Sequence, residues 1–117
     1  MPEETQLTPE QVQQYKEQFQ DYPQVLEALE VIEECEGNLD ESLILISLRK
    51  TGVEPERMKL DLEKLAQQAR SIVCAAPTRT TIELINILSG AFGTYGIAVA
   101  VFIYILNKYA LEKFCQI

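Results

Sequence analysis

Residues 84–107 carry no charged side chain, and this run restricts the possible folds of the chain more than any other feature. Its twenty-four residues are enough to cross the hydrocarbon core of a bilayer as one helix. Glycines at positions 90, 93 and 96 interrupt it, however, and leave only residues 97–106 as an unbroken apolar run. Ten such residues are more typical of a buried helix in a bundle than of a membrane span.

The helix that contains the start of this run is predicted to begin before it. Thr80 is a suitable N-cap, and Glu83 lies three residues further on, as in a capping box. The glycines would then turn the chain, and a last helix would follow over residues 95–114. We therefore predict an apolar helical hairpin over residues 80–114. The side chains expected to face a protein core or, alternatively, lipid are Phe92, Val101, Phe102 and Ile105.

Four further helices are predicted upstream from their end signals. Thr8 and Gln11 form a capping-box pattern around Pro9, and Asn38 is a second N-cap. Gly37 and Gly52 are suited to the left-handed conformation that ends many helices. The predicted spans are 9–20, 23–37, 38–52 and 56–75. The chain is therefore predicted to be all-α, a compact bundle of about six helices.

Charge divides the chain into two portions. Residues 1–50 hold twelve acidic and three basic side chains, whereas residues 51–117 hold six acidic and seven basic ones. We predict an acidic portion over residues 1–52 and an apolar portion over residues 53–117, packed as one domain because the connections are short. An acidic first portion argues against a nucleic-acid partner, since phosphate binding needs clustered Lys and Arg.

The residue types needed for catalysis or metal binding are scarce. The sequence has no histidine, and its three cysteines are about forty residues apart without a CxxC pair. Buried, reduced thiols are therefore expected at Cys35, Cys74 and Cys115, as in a cytoplasmic protein. The glutamates at positions 30, 33, 34 and 36 are expected on a solvated helix face. We predict no enzymatic activity, no cofactor and no metal site.

The second and third predicted helices carry a pattern that resembles a known family. In "DYPQVLEALEVIEECEGNLDESLILI", an aromatic–proline pair, Tyr22-Pro23, precedes an amphipathic helix, and a Gly37-Asn38 joint leads into the next helix. Residues 10–50 are in this respect similar to the ubiquitin-associated (UBA) and CUE domains, three-helix domains of which a related form opens elongation factor Ts. The whole layout is similar to small uncharacterised helical proteins of cyanobacteria.

The resemblance implies a three-helix fold and a protein-docking patch. By this analogy the patch would contain Tyr22, Pro23, Ile46 and Leu48. Ubiquitin is not the expected partner, because Asp21 stands where CUE domains have Met and Ile46-Ser47 stands in place of their dileucine. A charge in an apolar contact patch would have to be desolvated without a partner.

Two functions remain open at this point. The first is a cytoplasmic interaction or adaptor module that docks an unidentified protein through its N-terminal helices. The second is a small membrane-associated protein whose hairpin anchors a UBA-like head. The acidic and polar start "MPEETQLTPEQ" is unlike a secretory signal or a transit peptide. The apolar last helix leaves open a homodimer as well.

Overall fold

The computed structural model describes residues 6–52, 62–75, 81–108 and Cys115. Within these ranges the chain forms six α-helices and no strand, which confirms the predicted all-α bundle. The helices are α1 (Pro9–Gln18), α2 (Pro23–Glu34), α3 (Leu39–Thr51), α4 (Leu62–Val73), α5 (Thr81–Phe92) and α6 (Tyr95–Lys108). The predicted beginning of the fourth helix, residues 56–61, and the predicted end of the sixth, residues 109–114, lie outside the described residues.

Local hydrogen bonds explain where α1 and α3 begin. The Thr8 hydroxyl accepts from the Gln11 amide at 3.1 Å, and the Gln11 side chain accepts from the Thr8 amide at 2.8 Å. At α3 the Asn38 side chain accepts from the Glu41 amide at 3.0 Å, and Gly52 ends the helix with φ of 77°. These are the caps predicted from the sequence, and each satisfies a backbone group that the helix itself leaves unpaired.

The joint between α2 and α3 depends on Gly37. This residue has φ of 84°, and its amide donates to the Ile32 carbonyl at 2.8 Å. Its own carbonyl accepts from the Leu7 amide at 2.8 Å, so the residues before α1 pass directly across the joint. A β-carbon at position 37 would collide with the Leu7 carbonyl group. Glycine is therefore required by both the backbone conformation and this close approach.

The apolar hairpin turns at a single glycine. Gly93 has φ of 79°, and its amide donates to the Ser89 carbonyl at 2.9 Å, which ends α5. Gly90 lies within α5, so the prediction that it interrupts the helix was wrong, whereas Gly96 lies within α6, which begins at Tyr95 as predicted. A helix tolerates an isolated glycine at a cost of only about 1 kcal/mol, and packing on neighbouring helices offsets that cost.

The centre of the bundle is α6. It packs against α2, α3, α4 and α5, and every residue from Ile97 to Ile105 is buried. Val101, Phe102 and Ile105 are therefore core residues, and Phe92 at the end of α5 is half-buried. Since α2 and α3 come from the acidic portion, the two portions of the sequence share this core. In the described part of the chain, no helix has the length and apolarity to traverse a bilayer.

The cysteines correct one prediction. Cys74, just after α4, is bonded to Cys115, with their Cα atoms 5.4 Å apart. Only Cys35, which is half-buried, is a free thiol. The expectation of three reduced cysteines rested on their sequence spacing. That spacing carries no information about the tertiary proximity of residues 41 positions apart.

Candidate functional site

A groove of about 1010 Å³ runs along one side of the bundle. One wall is α2, the other is the last part of α3, and the corner between α5 and α6 closes one side. The α2 residues that line the groove are Gln24, Glu27, Ala28, Glu30, Val31, Glu33 and Glu34.

The period of α2 explains why it can serve both the core and the groove. Val25, Leu29 and Ile32 lie about one turn apart and are fully buried. Ala28 and Val31 flank that stripe and line the groove, where Ala28 is buried and Val31 is half-buried. The glutamates lie further round the helix and are exposed, so they form a polar rim above an apolar flank.

The floor of the groove is made where α3 meets α6. Ile46 is 8% exposed and lies against Gly96, where a β-carbon would be 2.9 Å from Ile46 Cγ2. The missing side chain at position 96 allows the two helices to approach closely. Tyr95, half-buried at the start of α6, adds an aromatic side chain to the same lining.

Two cations of α3 hold the walls together. Arg49 donates to both carboxylate oxygens of Glu34, at 2.8 and 3.2 Å, and this hydrogen bonding holds the pKa of the Glu34 carboxyl below its ordinary value. The Lys50 ammonium group donates to the carbonyl of Gly93 in the corner. Both cations are therefore engaged in contacts within the chain.

The charges of the rim are only partly compensated. Glu33 forms an ion pair with Lys16 of α1 at 2.7 Å, and Glu34 is held by Arg49. Within the described ranges, Glu27 and Glu30 form no ion pair. In that part of the chain, the rim near the start of α2 therefore keeps two exposed, uncompensated carboxylates next to apolar lining. Such an arrangement favours a cationic ligand that also carries apolar surface.

The predicted docking residues fall in different environments. Tyr22 is 42% exposed, with its ring 6.3 Å from that of Phe19 in an edge-to-face arrangement, and Pro23 begins α2 beside it. Tyr22 is outside the groove lining but only two residues before Gln24, which belongs to it. Burial raises the pKa of the Tyr95 hydroxyl, and Tyr22 adds to the rise.

The two predicted docking residues of α3 differ in their exposure to solvent. Ile46 belongs to the core contact with Gly96, and Leu48, which is 38% exposed, lies outside the groove lining. The structure thus places Ile46 in the lining of the groove and Tyr22 just outside it, two residues before Gln24. It does not bring Leu48 there.

Sequence reasoning missed most of the groove. The glutamates of α2 were expected on a solvated helix face and are exposed, but Glu30, Glu33 and Glu34 also line a concave surface that was not predicted. The spacing of Glu27, Glu30 and Glu34 along one stripe was the available signal. Nothing in the sequence indicated that Tyr95 or Gly96 would lie opposite that stripe, because they come from a helix more than sixty residues later.

A second polar cluster links α4 to α6. The Tyr104 hydroxyl donates to Glu63 Oε1 at 2.7 Å, and the Lys108 ammonium group donates to the same oxygen at 2.6 Å. Burial, followed by the hydrogen bond to Glu63, raises the pKa of Tyr104. A phenol held protonated in this way acts as a hydrogen-bond donor, and the cluster fixes the packing of the two helices. Among the described residues, no group of three or more Cys, Asp or Glu side chains is arranged to hold a metal ion.

Comparison with known proteins adds no template for this surface. The chain matches no protein-family model, no curated protein and no solved structure.

Proposed function

We propose that the protein is a non-enzymatic interaction module that docks another protein in the groove along α2. The observation that carries the proposal is the combination of an apolar floor with an acidic rim that the described part of the chain compensates only in part. Small-ligand pockets span roughly 300–1,000 Å³ and enclose most of their ligand. A groove at the upper end of that range, open along one side, suits a peptide segment better than a small molecule.

The resemblance to UBA and CUE domains supports the same assignment. In that family the loop before the second helix contributes to the docking surface, and here the exposed Tyr22-Pro23 pair lies beside the groove. The Gly37-Asn38 joint has the short, capped form expected of the resemblance. Asp21 and the burial of Ile46 support a partner other than ubiquitin.

The chemistry of the chain supports binding over catalysis. The sequence contains no histidine, the side chain that most often transfers protons near neutral pH. The charged groups of the α3 wall, Arg49 and Lys50, are engaged in structural contacts. No cofactor is part of the proposal.

We propose a cytoplasmic location for the module. Disulfides are rare in that compartment because glutathione and thioredoxin keep thiols reduced. Alkylating the thiols in intact source cells before lysis therefore tests the assignment. The structure has a bond between Cys74 and Cys115, so a cytoplasmic location requires that this bond form only after lysis. Alkylated thiols at both positions would support that location, and a fully oxidised pair in the cell would contradict it.

Photo-crosslinking tests the docking function. A benzophenone amino acid at Gln24, which lines the groove, is expected to crosslink the full chain to a discrete protein in the source cells. The matched control is the same amino acid at Gln14, an exposed glutamine of α1 outside the groove lining. Identical crosslinks from both positions, or none from Gln24, would overturn the proposal.

A further inference from the structure

We propose that the occupant of the groove is a cationic amphipathic helix of the partner protein. The helix would carry an apolar stripe and at least two Lys or Arg side chains about one turn apart. This inference rests on the docking function proposed above and specifies the partner's chemistry.

The spacing of Glu27 and Glu30, which form no ion pair within the described ranges, sets the spacing of the cations. Glu27 and Glu30 are three residues apart on α2, a rise of about 4.5 Å along the axis. Side chains three or four residues apart on a second helix lie at a similar spacing, so a partner helix running along α2 can pair with both. Exposed ion pairs of this kind contribute little affinity each, and their main effect is on orientation and partner choice.

The apolar lining provides the rest of the contact. Ala28 and Val31 of α2, Ile46 of α3 and Tyr95 of α6 lie below the rim. Helix-in-groove recognition uses apolar anchors at positions i, i+3 or i+4, and i+7, which a groove along a helix can accept. Ala28 and Ile46 are already buried, so the apolar surface that a partner can cover comes from the half-buried Val31 and Tyr95.

The charge of the whole chain favours the same partner. The net charge is −8 at pH 7, so a cationic segment is attracted at long range and an anionic surface is repelled. The two cations of the groove lining, Arg49 and Lys50, already bind Glu34 and Gly93, so an anionic ligand would have to displace these contacts. A lipid bilayer with anionic headgroups, or a nucleic acid, is therefore disfavoured against a basic peptide.

The test uses a designed probe and the full chain. The probe is a fluorescein-labelled 18-residue helical peptide with Leu and Ala on one stripe and Lys in pairs three residues apart beside it. Its partner probe has Glu in place of every Lys. Fluorescence anisotropy at 50 mM salt is expected to give at least tenfold tighter binding of the Lys peptide. The Kd should rise as salt increases to 300 mM.

Charge reversal in the protein separates groove binding from general attraction. The double variant Glu27→Lys/Glu30→Lys is expected to raise the Kd of the Lys peptide at least tenfold. The matched control is Glu10→Lys/Glu17→Lys, which makes the same change in net charge on exposed residues of α1. It should weaken binding less than threefold. The milder pair Glu27→Gln/Glu30→Gln provides the same comparison if the reversed variant loses helicity.

Each alternative outcome is decisive. If the double variant in the groove and the double variant in α1 weaken binding of the Lys peptide equally, the attraction is diffuse and the inference is overturned. Equal binding of the Lys and Glu peptides, or tighter binding of phosphatidylglycerol vesicles than of the Lys peptide, would overturn it as well. If crosslinking at Gln24 captures a protein without a basic helix, the docking function stands and this inference fails.

Discussion

Gly96 of α6 faces Ile46 of α3 so closely that a β-carbon at position 96 would lie 2.9 Å from Ile46 Cγ2. This contact joins the acidic portion of the chain to the central helix and forms the floor of the groove. A branched methyl group in a nearly buried side chain has little freedom to move away. The contact therefore offsets the intrinsic cost of a glycine within a helix.

Gly96→Ala is expected to lower the free energy of unfolding by about 1–2 kcal/mol, because overpacking outweighs the gain in helix propensity. Gly90→Ala is the matched control, since Gly90 is also within a helix but has no described atom within 4 Å of the position that a β-carbon would take. It is expected to raise the free energy of unfolding by about 0.5–1 kcal/mol. Urea unfolding of both variants measures the difference, and equal effects would contradict the close contact.

The two left-handed glycines that follow α2 and α3 are expected to respond differently to substitution. Gly37→Ala would place a side chain at a positive φ and in collision with the Leu7 carbonyl. It is expected to lower the free energy of unfolding by at least about 3 kcal/mol. Gly52→Ala has a similar φ but no described atom near the new β-carbon, and a loss of about 1 kcal/mol is expected. Chemical denaturation compares them, and equal losses would mean that Leu7 does not cross the joint.

Reduction of the Cys74–Cys115 bond is expected to destabilise the protein. Closing a loop of 41 residues removes chain entropy from the unfolded state worth at most about 4 kcal/mol. Dithiothreitol should lower the free energy of unfolding of the wild-type chain and should not change that of the Cys74→Ser variant. Thiol titration of the denatured, oxidised protein should give one free thiol, that of Cys35. Three free thiols in protein purified without reductant would contradict the bond.

Stability is expected to fall at alkaline pH. Tyr104 has a pKa raised above its ordinary value of 10.0, so the folded state holds this proton more tightly than the unfolded state does. The stabilisation is complete below about pH 10 and decreases as pH rises above it, by at most about 1.4 kcal/mol per pH unit for one such group.

Substitution separates this group from other tyrosines. Tyr104→Phe should reduce the loss of stability between pH 10 and 11, and it should cost about 1 kcal/mol at pH 7 through the lost hydrogen bond to Glu63. Tyr22→Phe, which alters an exposed tyrosine, serves as the control. Urea midpoints at pH 10 and pH 11 measure the effect. An identical loss of stability between these pH values in the two variants would contradict it.

The sequence was most informative where a structural feature depends on neighbouring residues. The caps at Thr8 and Asn38 and the left-handed end at Gly52 require only residues within one helical turn, and all three were predicted. Gly93, by contrast, could not be distinguished from Gly90 and Gly96, because only packing decides which glycine turns the chain.

The groove and the disulfide depend on contacts between distant residues. Ile46 meets Gly96 across fifty positions, and Cys74 meets Cys115 across 41. Periodicity along one helix identifies a face but not the element that covers it. The glutamates of α2 were therefore predicted to be solvated, and they are exposed, but the position of α6 beside them could not be predicted.

The most direct test of the docking account is a residue-resolved map of the bound surface. In a ¹H–¹⁵N correlation spectrum of the full chain, adding the unlabelled Lys peptide should shift the amides of Glu27, Glu30, Val31 and Tyr95. The amides of α1 and α4 should change little. Shifts spread over all acidic segments, or concentrated around Leu48 on the outer side of α3, would contradict the assignment of the groove as the binding site.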